Sequence, residues 1–264
     1  MLMKEDYLNI NRKSWDAQTN IHVHSDFYGT QDVLDGKSSL NDIELNLLAN
    51  PVEKSILHLQ CHFGLDSISL ARLGAKVIAI DFSQNAIDHA NIINNKTKQD
   101  VKFICSEVYE LNLDNKFDIV FSSYGVIGWL PDMNRWANII SKHLKPGGKF
   151  IFVEFHPIVW MFDKNFERIA YNYSKDEEIV EEEKGTYADK NADVNLTTIT
   201  WNHSLSEVIT SLINAGLEIS HFEEHHFSPY NCFEKTEEFE EGKFRIKHLS
   251  NKIPMIYSLV AIKK

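Results

Sequence analysis

Between residues 55 and 155, short apolar segments alternate with segments whose apolar residues repeat at helical spacing. The strand-like segments are residues 55–59, 75–80, 101–104, 117–121 and 149–155. The helix-like segments are residues 65–73, 83–95 and 131–144. This alternation is typical of β-α-β units, whose right-handed crossovers build a doubly wound parallel sheet covered by helices. We therefore predict an α/β fold.

The segments outside this alternation predict the elements that surround the parallel strands. Residues 1–50 are polar and mostly helical in character, and Pro51 ends their last helix-like stretch. Residues 157–200 break the alternation and contain two acidic runs, which favour a solvated insertion over a cation site. Residues 217–227 and 253–262 predict two closing strands, and the acid-rich residues 234–241 between them predict a loop.

The net charge and the cysteine content argue against several kinds of partner and site. Lys and Arg number 27 and Asp and Glu 38, so the net charge of −11 argues against nucleic acid or an anionic membrane as a partner. Cys61, Cys105 and Cys232 are far apart without a CxxC pair, so we expect no thiolate metal site and a reducing, cytoplasmic location. The N-terminus does not resemble a secretory signal, and no apolar run approaches the roughly 18 residues of a membrane span. The oligomeric state stays open.

Polar residues follow the first four predicted strands, where an open parallel sheet binds its ligand. They are Gln60-Cys61-His62-Phe63-Gly64, Asp81, Glu107-Val108 and Ser122-Ser123-Tyr124. Asp81 stands 17 positions after Gly64, where a carboxylate can accept two hydrogen bonds from a ribose diol. The alternative for Asp81 is a helix N-cap, but Ser83 is the better cap, so we favour ribose.

Taken in order, these motifs resemble the class I S-adenosylmethionine-dependent methyltransferases over residues 56–156. The resemblance rests on residues 56–64, 80–83, 117–121 and the helix-ending Leu144-Lys145-Pro146-Gly147-Gly148. It implies a mostly parallel, seven-stranded, Rossmann-like sheet with an antiparallel C-terminal strand pair. The methyltransferase domain would span residues 51–264. We also predict that residues 1–50 form an N-terminal helical lid segment and that the insertion 157–200 covers the acceptor.

The resemblance also assigns the cofactor-binding residues. Gln60, Cys61, His62 and Gly64 match the loop whose backbone lines the methionine part of S-adenosylmethionine. Asp81 matches the ribose-binding acid, and Phe82 would pack on the adenine. The remaining matches are Glu107 with the adenine amino group, the Val108 N–H with the ring, and Ser122, Ser123 and Tyr124 with the methyl donor.

The first loop departs from the family pattern, which has glycine where this chain has Gln60 and His62. Glycine allows positive φ angles that Gln and His tolerate poorly. We predict that the loop keeps its path with ordinary dihedral angles and that His62 points a ring nitrogen towards the amino acid end of the cofactor. The alternative is that cofactor binding has decayed.

The expected reaction is an in-line methyl transfer to a small-molecule acceptor, for which positioning is the main requirement. The predicted catalytic residues are Tyr124 and His156, with Glu154 as the group that orients His156. Other histidines considered as bases are His22, His24, His203, His225 and His226.

Aromatic residues in two segments predict the cover of the acceptor. The first group is Trp15, Phe27 and Tyr28, and the second is Trp160, Phe162, Phe166, Tyr171 and Tyr173, with the apolar Met161 beside them. They suggest an aromatic or cationic acceptor, with plain packing against the sheet as the alternative. A nicotinamide-dependent oxidoreductase and a non-catalytic cofactor-binding protein remain competing functions.

Overall fold

The computed structural model describes residues 4–264. The strands in this part of the chain are β1 (Ser55–Leu59), β2 (Lys76–Asp81), β3 (Lys102–Cys105), β4 (Phe117–Ser123), β5 (Leu144–Phe155), β6 (Ile179–Lys184), β7 (Asn195–Thr200), β8 (Leu217–His225), β9 (Thr236–Glu240), β10 (Lys243–Ile246) and β11 (Ile256–Lys263). Seven of them form one sheet in the order β3-β2-β1-β4-β5-β11-β8. β11 runs antiparallel to both of its neighbours, β5 and β8, and the other strand pairs of this sheet are parallel, which confirms the predicted doubly wound architecture with an antiparallel C-terminal end.

Helices cover both faces of the sheet. They are α1 (Lys4–His22), α2 (Thr30–Leu34), α3 (Asp42–Leu48), α4 (Leu65–Arg72), α5 (Gln84–Thr97), α6 (Met133–His143) and α7 (Leu205–Asn214). Apolar residues of α2 to α5 pack on one face, and those of α6 and α7 pack on the other, around the fully buried Trp136. The alternation of apolar side chains along β1, with Ile56 on one face and Leu57 on the other, separates the two cores.

Near the start of β5, the backbone of this strand comes close to that of β4. A Cβ atom on Gly148 would lie 2.9 Å from the Lys145 carbonyl oxygen and 3.0 Å from that of Phe117. The register of β4 against β5 shifts at this point, between Phe117 and Ile119. Glycine at position 148 therefore allows β5 to pass this close to β4 where the register shifts.

The N-terminal helix and the insertion pack on each other. Asn11 of α1 exchanges two hydrogen bonds with the backbone of Ile199 in β7, at 2.7 and 2.8 Å. The rings of Tyr7 and Trp201 meet edge to face with centroids 5.1 Å apart. Residues 1–50 and 157–200, predicted as two separate covers, are thus joined in the part of the chain that the structure describes.

Residues 234–241 form part of a hairpin of β9 and β10, so the prediction of a loop there is wrong. Acidic residues occur along β9, and one of them, Glu237, pairs with Arg245 of β10 at 3.0 Å. The charge is tolerated because Glu238 and Glu240 of β9 are exposed to solvent. The acidic residues 176–178 and 182–183 of the insertion are likewise exposed.

Candidate functional site

The sheet order places the four predicted strand ends next to one another. Backbone hydrogen bonds connect them: Cys61 N donates to Ile80 O at 2.9 Å, and Ser106 N donates to Asp81 O at 2.8 Å. The Gln60 side chain donates to Val126 O at 2.8 Å, which attaches the loop after β1 to the turn after β4. The structure therefore brings the four segments together at one edge of the sheet, as the motifs predicted.

The loop after β1 takes left-handed dihedral angles, so the prediction of ordinary ones is wrong. The φ angles are 55° at Gln60, 50° at His62 and 80° at Gly64. A left-handed residue other than glycine costs about 1–2 kcal/mol, so other contacts must hold the loop in place. Gly64 is required for packing as well, because a Cβ atom there would lie 2.5 Å from the ring of Phe103.

The carboxylate of Asp81 is one of the contacts that hold the loop. One oxygen accepts the His62 N–H and the other accepts the Ser83 N–H, both at 2.9 Å. Burial raises the pKa of Asp81 to about 6, although the two N–H groups lower it. Ser83 caps α5 as predicted, with its hydroxyl accepting the Ala86 N–H at 3.1 Å. Each Asp81 oxygen has a further lone pair, so binding the loop does not preclude binding a ligand.

His62 forms a pair with His22, the last residue of α1. Nε2 of His62 lies 3.1 Å from Nδ1 of His22, while the other ring nitrogen of each residue is buried without a hydrogen-bond partner. Burial lowers the pKa of His62 well below its usual range and that of His22 to about 4, so both rings are neutral near pH 7. Trp15 and Phe63 pack against the His62 ring with centroids 5.0 and 4.5 Å away.

Buried polar atoms around these strand ends fit a ligand with polar groups at both ends. Oε1 of Gln60 and the free ring nitrogens of His22 and His62 lie near the first loop without partners. Oε1 of Glu107 is likewise unpartnered at the end of β3, while its second oxygen accepts the Glu110 N–H at 3.1 Å and caps a short 3₁₀ helix. These atoms suit an amino acid group at one end of a ligand and an adenine amino group at the other.

The end of β4 carries the three residues predicted beside the methyl donor. Ser122 is buried and its hydroxyl donates to Leu59 O at 3.4 Å. The Ser123 hydroxyl donates to Asp66 at 3.4 Å. Tyr124 has a φ of 47°, and its ring meets that of Tyr230 edge to face at 5.0 Å. The chain therefore turns sharply at Tyr124, directly beyond the sheet.

Glu154 holds this turn and does not orient His156, so the predicted pair is wrong. The Glu154 carboxylate accepts the N–H groups of Gly125, Val126 and Ile127, and that of Phe155. A turn with left-handed residues leaves its N–H groups without strand partners, and the buried carboxylate supplies the acceptors. Its four hydrogen bonds leave Glu154 no part in orienting a base.

His156 is directed towards β8. Its Nε2 lies 2.8 Å from the Glu224 carboxylate, and its Nδ1 accepts the Ile158 N–H at 3.1 Å. Burial lowers the pKa of His156, while Glu224 raises it. Its role as a base stays a prediction. His203 binds Leu130 O and Glu207, and His225 binds Ser258, which indicates structural roles for both.

Aromatic residues of the N-terminal segment cover the first loop together with one tyrosine of the insertion. The hydroxyls of Tyr28 and Tyr187 are hydrogen-bonded, and the Tyr187 ring lies 4.7 Å from that of His22. Trp15 also meets Trp129, at 5.2 Å. By contrast, Phe162 and Phe166 of the insertion stack on each other in a hydrophobic cluster under β5, which is the plain packing alternative.

Sequence reasoning missed several residues of this region. They are Glu44, Trp129, Tyr187, Tyr230 and the His22–His62 contact. Each depends on a partner far away in the chain, such as Tyr28 with Tyr187, so no local pattern reveals it. Within residues 4–264, no three His, Cys, Asp or Glu side chains converge as a metal site would require. None of the helices described here is long and apolar enough to cross a membrane.

Comparisons with known proteins agree with this geometry. Residues 57–152 match the family model of a methyltransferase domain. A cypemycin N-terminal methyltransferase from Streptomyces sp is 30% identical over 98 residues, which cover 36% of this chain and 39% of that protein. A ubiquinone biosynthesis O-methyltransferase from Coxiella burnetii is 28% identical over 117 residues, 43% of this chain and 50% of that protein. The chain thus spans half or less of the length of these two curated relatives.

The fold has solved counterparts. A crystal structure of an S-adenosylmethionine-dependent methyltransferase from Clostridium acetobutylicum superposes with a TM-score of 0.58 at 17% identity, covering 96% of this chain and 98% of that one. The predicted resemblance is confirmed: residues 57–152 match a methyltransferase domain, and the chain has the fold of a solved S-adenosylmethionine-dependent methyltransferase.

Proposed function

We propose that this protein transfers a methyl group from S-adenosylmethionine to a small-molecule acceptor by in-line displacement. The observation that carries the proposal is the left-handed loop after β1, which Asp81 at the next strand end holds through the His62 N–H. Gln60 and His62 adopt left-handed backbone angles that cost free energy, whereas glycine would adopt them freely. Such a conformation supports a function for the loop, because plain packing would not require it.

The proposed cofactor contacts follow from the polar atoms of the site. Asp81 would bind the ribose hydroxyls, and the unpartnered oxygen of Glu107 would accept from the adenine amino group. Phe82 would pack on the adenine, and the Val108 N–H would reach its ring. The backbone of the loop, with Gln60, Cys61, His62 and Gly64, would line the methionine part.

The reaction needs mainly alignment. S-adenosylmethionine, when bound, supplies a methyl group on a positively charged sulfur that leaves readily. Ser122, Ser123 and Tyr124 would flank the methyl group and the acceptor, while Trp15 and Tyr28 exclude water from above the loop. Such positioning can supply about 7–11 kcal/mol of the barrier reduction.

We further propose an acceptor that is aromatic or cationic. Support comes from the aromatic rings of Phe27, Tyr28, Tyr187 and Tyr230, which contact one another beside the first loop. The names of the two curated relatives differ, one being an N-terminal and the other an O-methyltransferase, so they leave the methylated atom open.

A reducing, cytoplasmic location accompanies this proposal. The three cysteines are free thiols, and Cys61 is buried within the first loop. Burial raises the pKa of Cys61 and that of Cys232, the latter to about 12, so neither thiol is readily oxidised.

The test is to incubate the purified chain with S-adenosylmethionine labelled in its methyl group and a small-molecule cell extract. We expect label in a low-molecular-weight product. Binding of the cofactor without transfer would instead support the non-catalytic cofactor-binding function. In a parallel incubation with total cellular RNA, label in the RNA would contradict a small-molecule acceptor. A failure to bind the cofactor at millimolar concentration would indicate that cofactor binding has decayed.

A further inference from the structure

Beside the methyl-donor end of the site lies an acidic–phenol cluster, which consists of Glu44, Asp66, Tyr124 and Tyr230 with Asn41. The Asn41 amide lies 3.1 Å from the Tyr230 hydroxyl and 3.4 Å from Glu44 Oε1. The rings of Tyr124 and Tyr230 contact each other. These residues come from the N-terminal segment, the start of α4, the end of β4 and the segment after β8, so the fold assembles the cluster.

Two polar groups of the cluster are buried without partners. Glu44 is only 1% exposed, and its Oε2 has no hydrogen-bond partner. The Tyr124 hydroxyl is near enough to lower the pKa of Glu44, yet it too has no partner at hydrogen-bonding distance and angle. A buried carboxylate that serves only the fold normally has its oxygens satisfied, as Glu154 does here.

The electrostatic surroundings of the cluster favour a positive charge. The ionisable groups that act most strongly on Glu44, Tyr124 and Tyr230 are one another and Asp66, and none of them is basic. Burial, with a smaller contribution from Asp66, raises the pKa of Glu44 to about 7. A cation placed among these groups would lower the cost of the buried carboxylates, and phenol rings add favourable contacts with a cation.

The cluster adjoins the predicted position of the reacting methyl group. Tyr124 directly follows β4, and Ser123 connects that strand end to Asp66. Asp66 itself is the second residue of α4, the helix that begins at the end of the first loop. A ligand group at the cluster would therefore lie beside both the first loop and the end of β4.

We propose that the methyl acceptor is an amine, which binds as an ammonium ion between Glu44 and the Tyr124 and Tyr230 rings, and that Glu44 takes its proton before the nitrogen reacts. This inference rests on the proposed function. It names the class of the acceptor and a group that touches it, neither of which follows from the methyltransferase fold.

The step balances without any further reactant. The Glu44 carboxylate accepts one proton from the ammonium group, which leaves a neutral amine with a free electron pair. That pair forms the new nitrogen–carbon bond with the methyl group while the carbon–sulfur bond breaks, and its electrons remain on sulfur. The positive charge thus passes from the sulfonium to the methylated nitrogen, and a thioether is left.

A hydroxyl acceptor fits the same place less well. It would bring no positive charge to a site whose nearest ionisable groups are acidic, and it would leave Glu44 and Asp66 as uncompensated buried carboxyls. A matched pair of ligands separates the two chemistries. Benzylamine and benzyl alcohol have nearly the same shape and differ in charge.

In the presence of S-adenosylhomocysteine at pH 8, we expect benzylamine to bind the full chain at least about tenfold more tightly than benzyl alcohol, measured by NMR titration. Glu44→Gln removes the charge while retaining the shape, and should bring the two affinities within about threefold. Asp42→Asn, on the solvent side of the same helix, is the control and should preserve the preference. Equal binding of the two ligands, or a preference that survives Glu44→Gln, would overturn the proposal.

Methyl transfer to separated extract pools completes the test. With labelled S-adenosylmethionine and cationic, neutral and anionic metabolite pools, we expect label in the cationic pool. Glu44→Gln should slow that transfer by about 100-fold and remove its rise with pH through about 7, while Glu44→Asp restores part of it. Label confined to neutral or anionic pools would refute the amine and leave the proposed function standing. Absence of label from every pool, with cofactor bound, would contradict both.

Discussion

Two turns flank the candidate site, and each depends on a carboxylate from a neighbouring strand end. The loop after β1 has left-handed residues at Gln60 and His62, and Asp81 of β2 holds it. The turn after β4 has a left-handed residue at Tyr124, and Glu154 of β5 holds it. In both places a buried acid gives the backbone N–H groups of a strained segment their hydrogen-bond acceptors.

The two carboxylates differ in how fully they are used. Glu154 accepts four N–H groups, which exhausts the usual capacity of a carboxylate. Asp81 accepts two and retains lone pairs. An acid at a strand end can therefore bind a ligand only if its hydrogen bonds with the backbone leave some of its oxygen lone pairs free.

The strongest test of this difference is Glu154→Ala. The substitution leaves several buried N–H groups without an acceptor, so we expect the free energy of unfolding to fall by about 3–5 kcal/mol in urea denaturation. Glu182→Ala, at an exposed position of the β6–β7 hairpin, should change it by less than about 0.5 kcal/mol. A loss below about 1 kcal/mol for Glu154→Ala would contradict a structural role.

Glu44 extends the comparison to a buried acid with an unpartnered oxygen. Its pKa rises from 4.5 to about 7 on burial, so the folded state resists its ionisation, and stability falls as the pH rises through this interval. The loss amounts to about 3 kcal/mol when complete. Glu44→Gln should therefore be more stable than the wild type at pH 8 and nearly equal at pH 4.5, in urea titrations at both pH values. An equal difference in the free energy of unfolding between the variant and the wild type at both pH values would contradict the raised pKa of Glu44.

Asp81→Asn tests the carboxylate that retains capacity. We expect S-adenosylhomocysteine to bind about 10- to 100-fold more weakly in calorimetry, because hydrogen bonds to a charged acceptor contribute about 1.5–3 kcal/mol each. Asp100→Asn, at an exposed position before β3, is the matched control and should bind normally. Unchanged binding in Asp81→Asn would show that Asp81, like Glu154, holds the fold and does not bind the ligand.

The smallest expected effect concerns the backbone of the first loop. Gln60→Gly suits a φ of 55° but removes the unpartnered Oε1 and the hydrogen bond to Val126 O, so the affinity for S-adenosylhomocysteine should fall by about threefold. Gln60→Val places a β-branched residue in the left-handed region, and binding should weaken by about tenfold. Calorimetry of the two variants side by side makes the measurement, and equal affinities would show that the loop conformation does not matter for binding.

Most of the sheet could be predicted because its signals are local. Apolar runs predicted the ends of the parallel strands to within two residues, except the start of β5, which was expected at residue 149 and lies at Leu144. Ser83 predicted the start of α5, because its hydroxyl caps that helix. The positions of Asp81 and Glu107 followed from the strand ends for the same reason. Such features depend on residues that are neighbours in the chain.

The parts that could not be predicted depend on distant partners. The left-handed angles of Gln60 and His62 are unfavourable locally, and contacts with Asp81, Val126 and the surrounding rings compensate for them. Glu154 meets its turn from 27 to 29 positions away, and Glu44 meets Tyr124 from 80 positions away. The periodicity and spacing of residues in the sequence do not predict these contacts.

A crystal structure of the full chain with S-adenosylhomocysteine tests the central claim most directly. We expect the ribose hydroxyls within hydrogen-bonding distance of Asp81 and the adenine amino group at the free oxygen of Glu107. The sulfur should lie between the first loop and Tyr124. A nucleoside lodged elsewhere, or one that leaves Asp81 and Glu107 untouched, would contradict the proposed site.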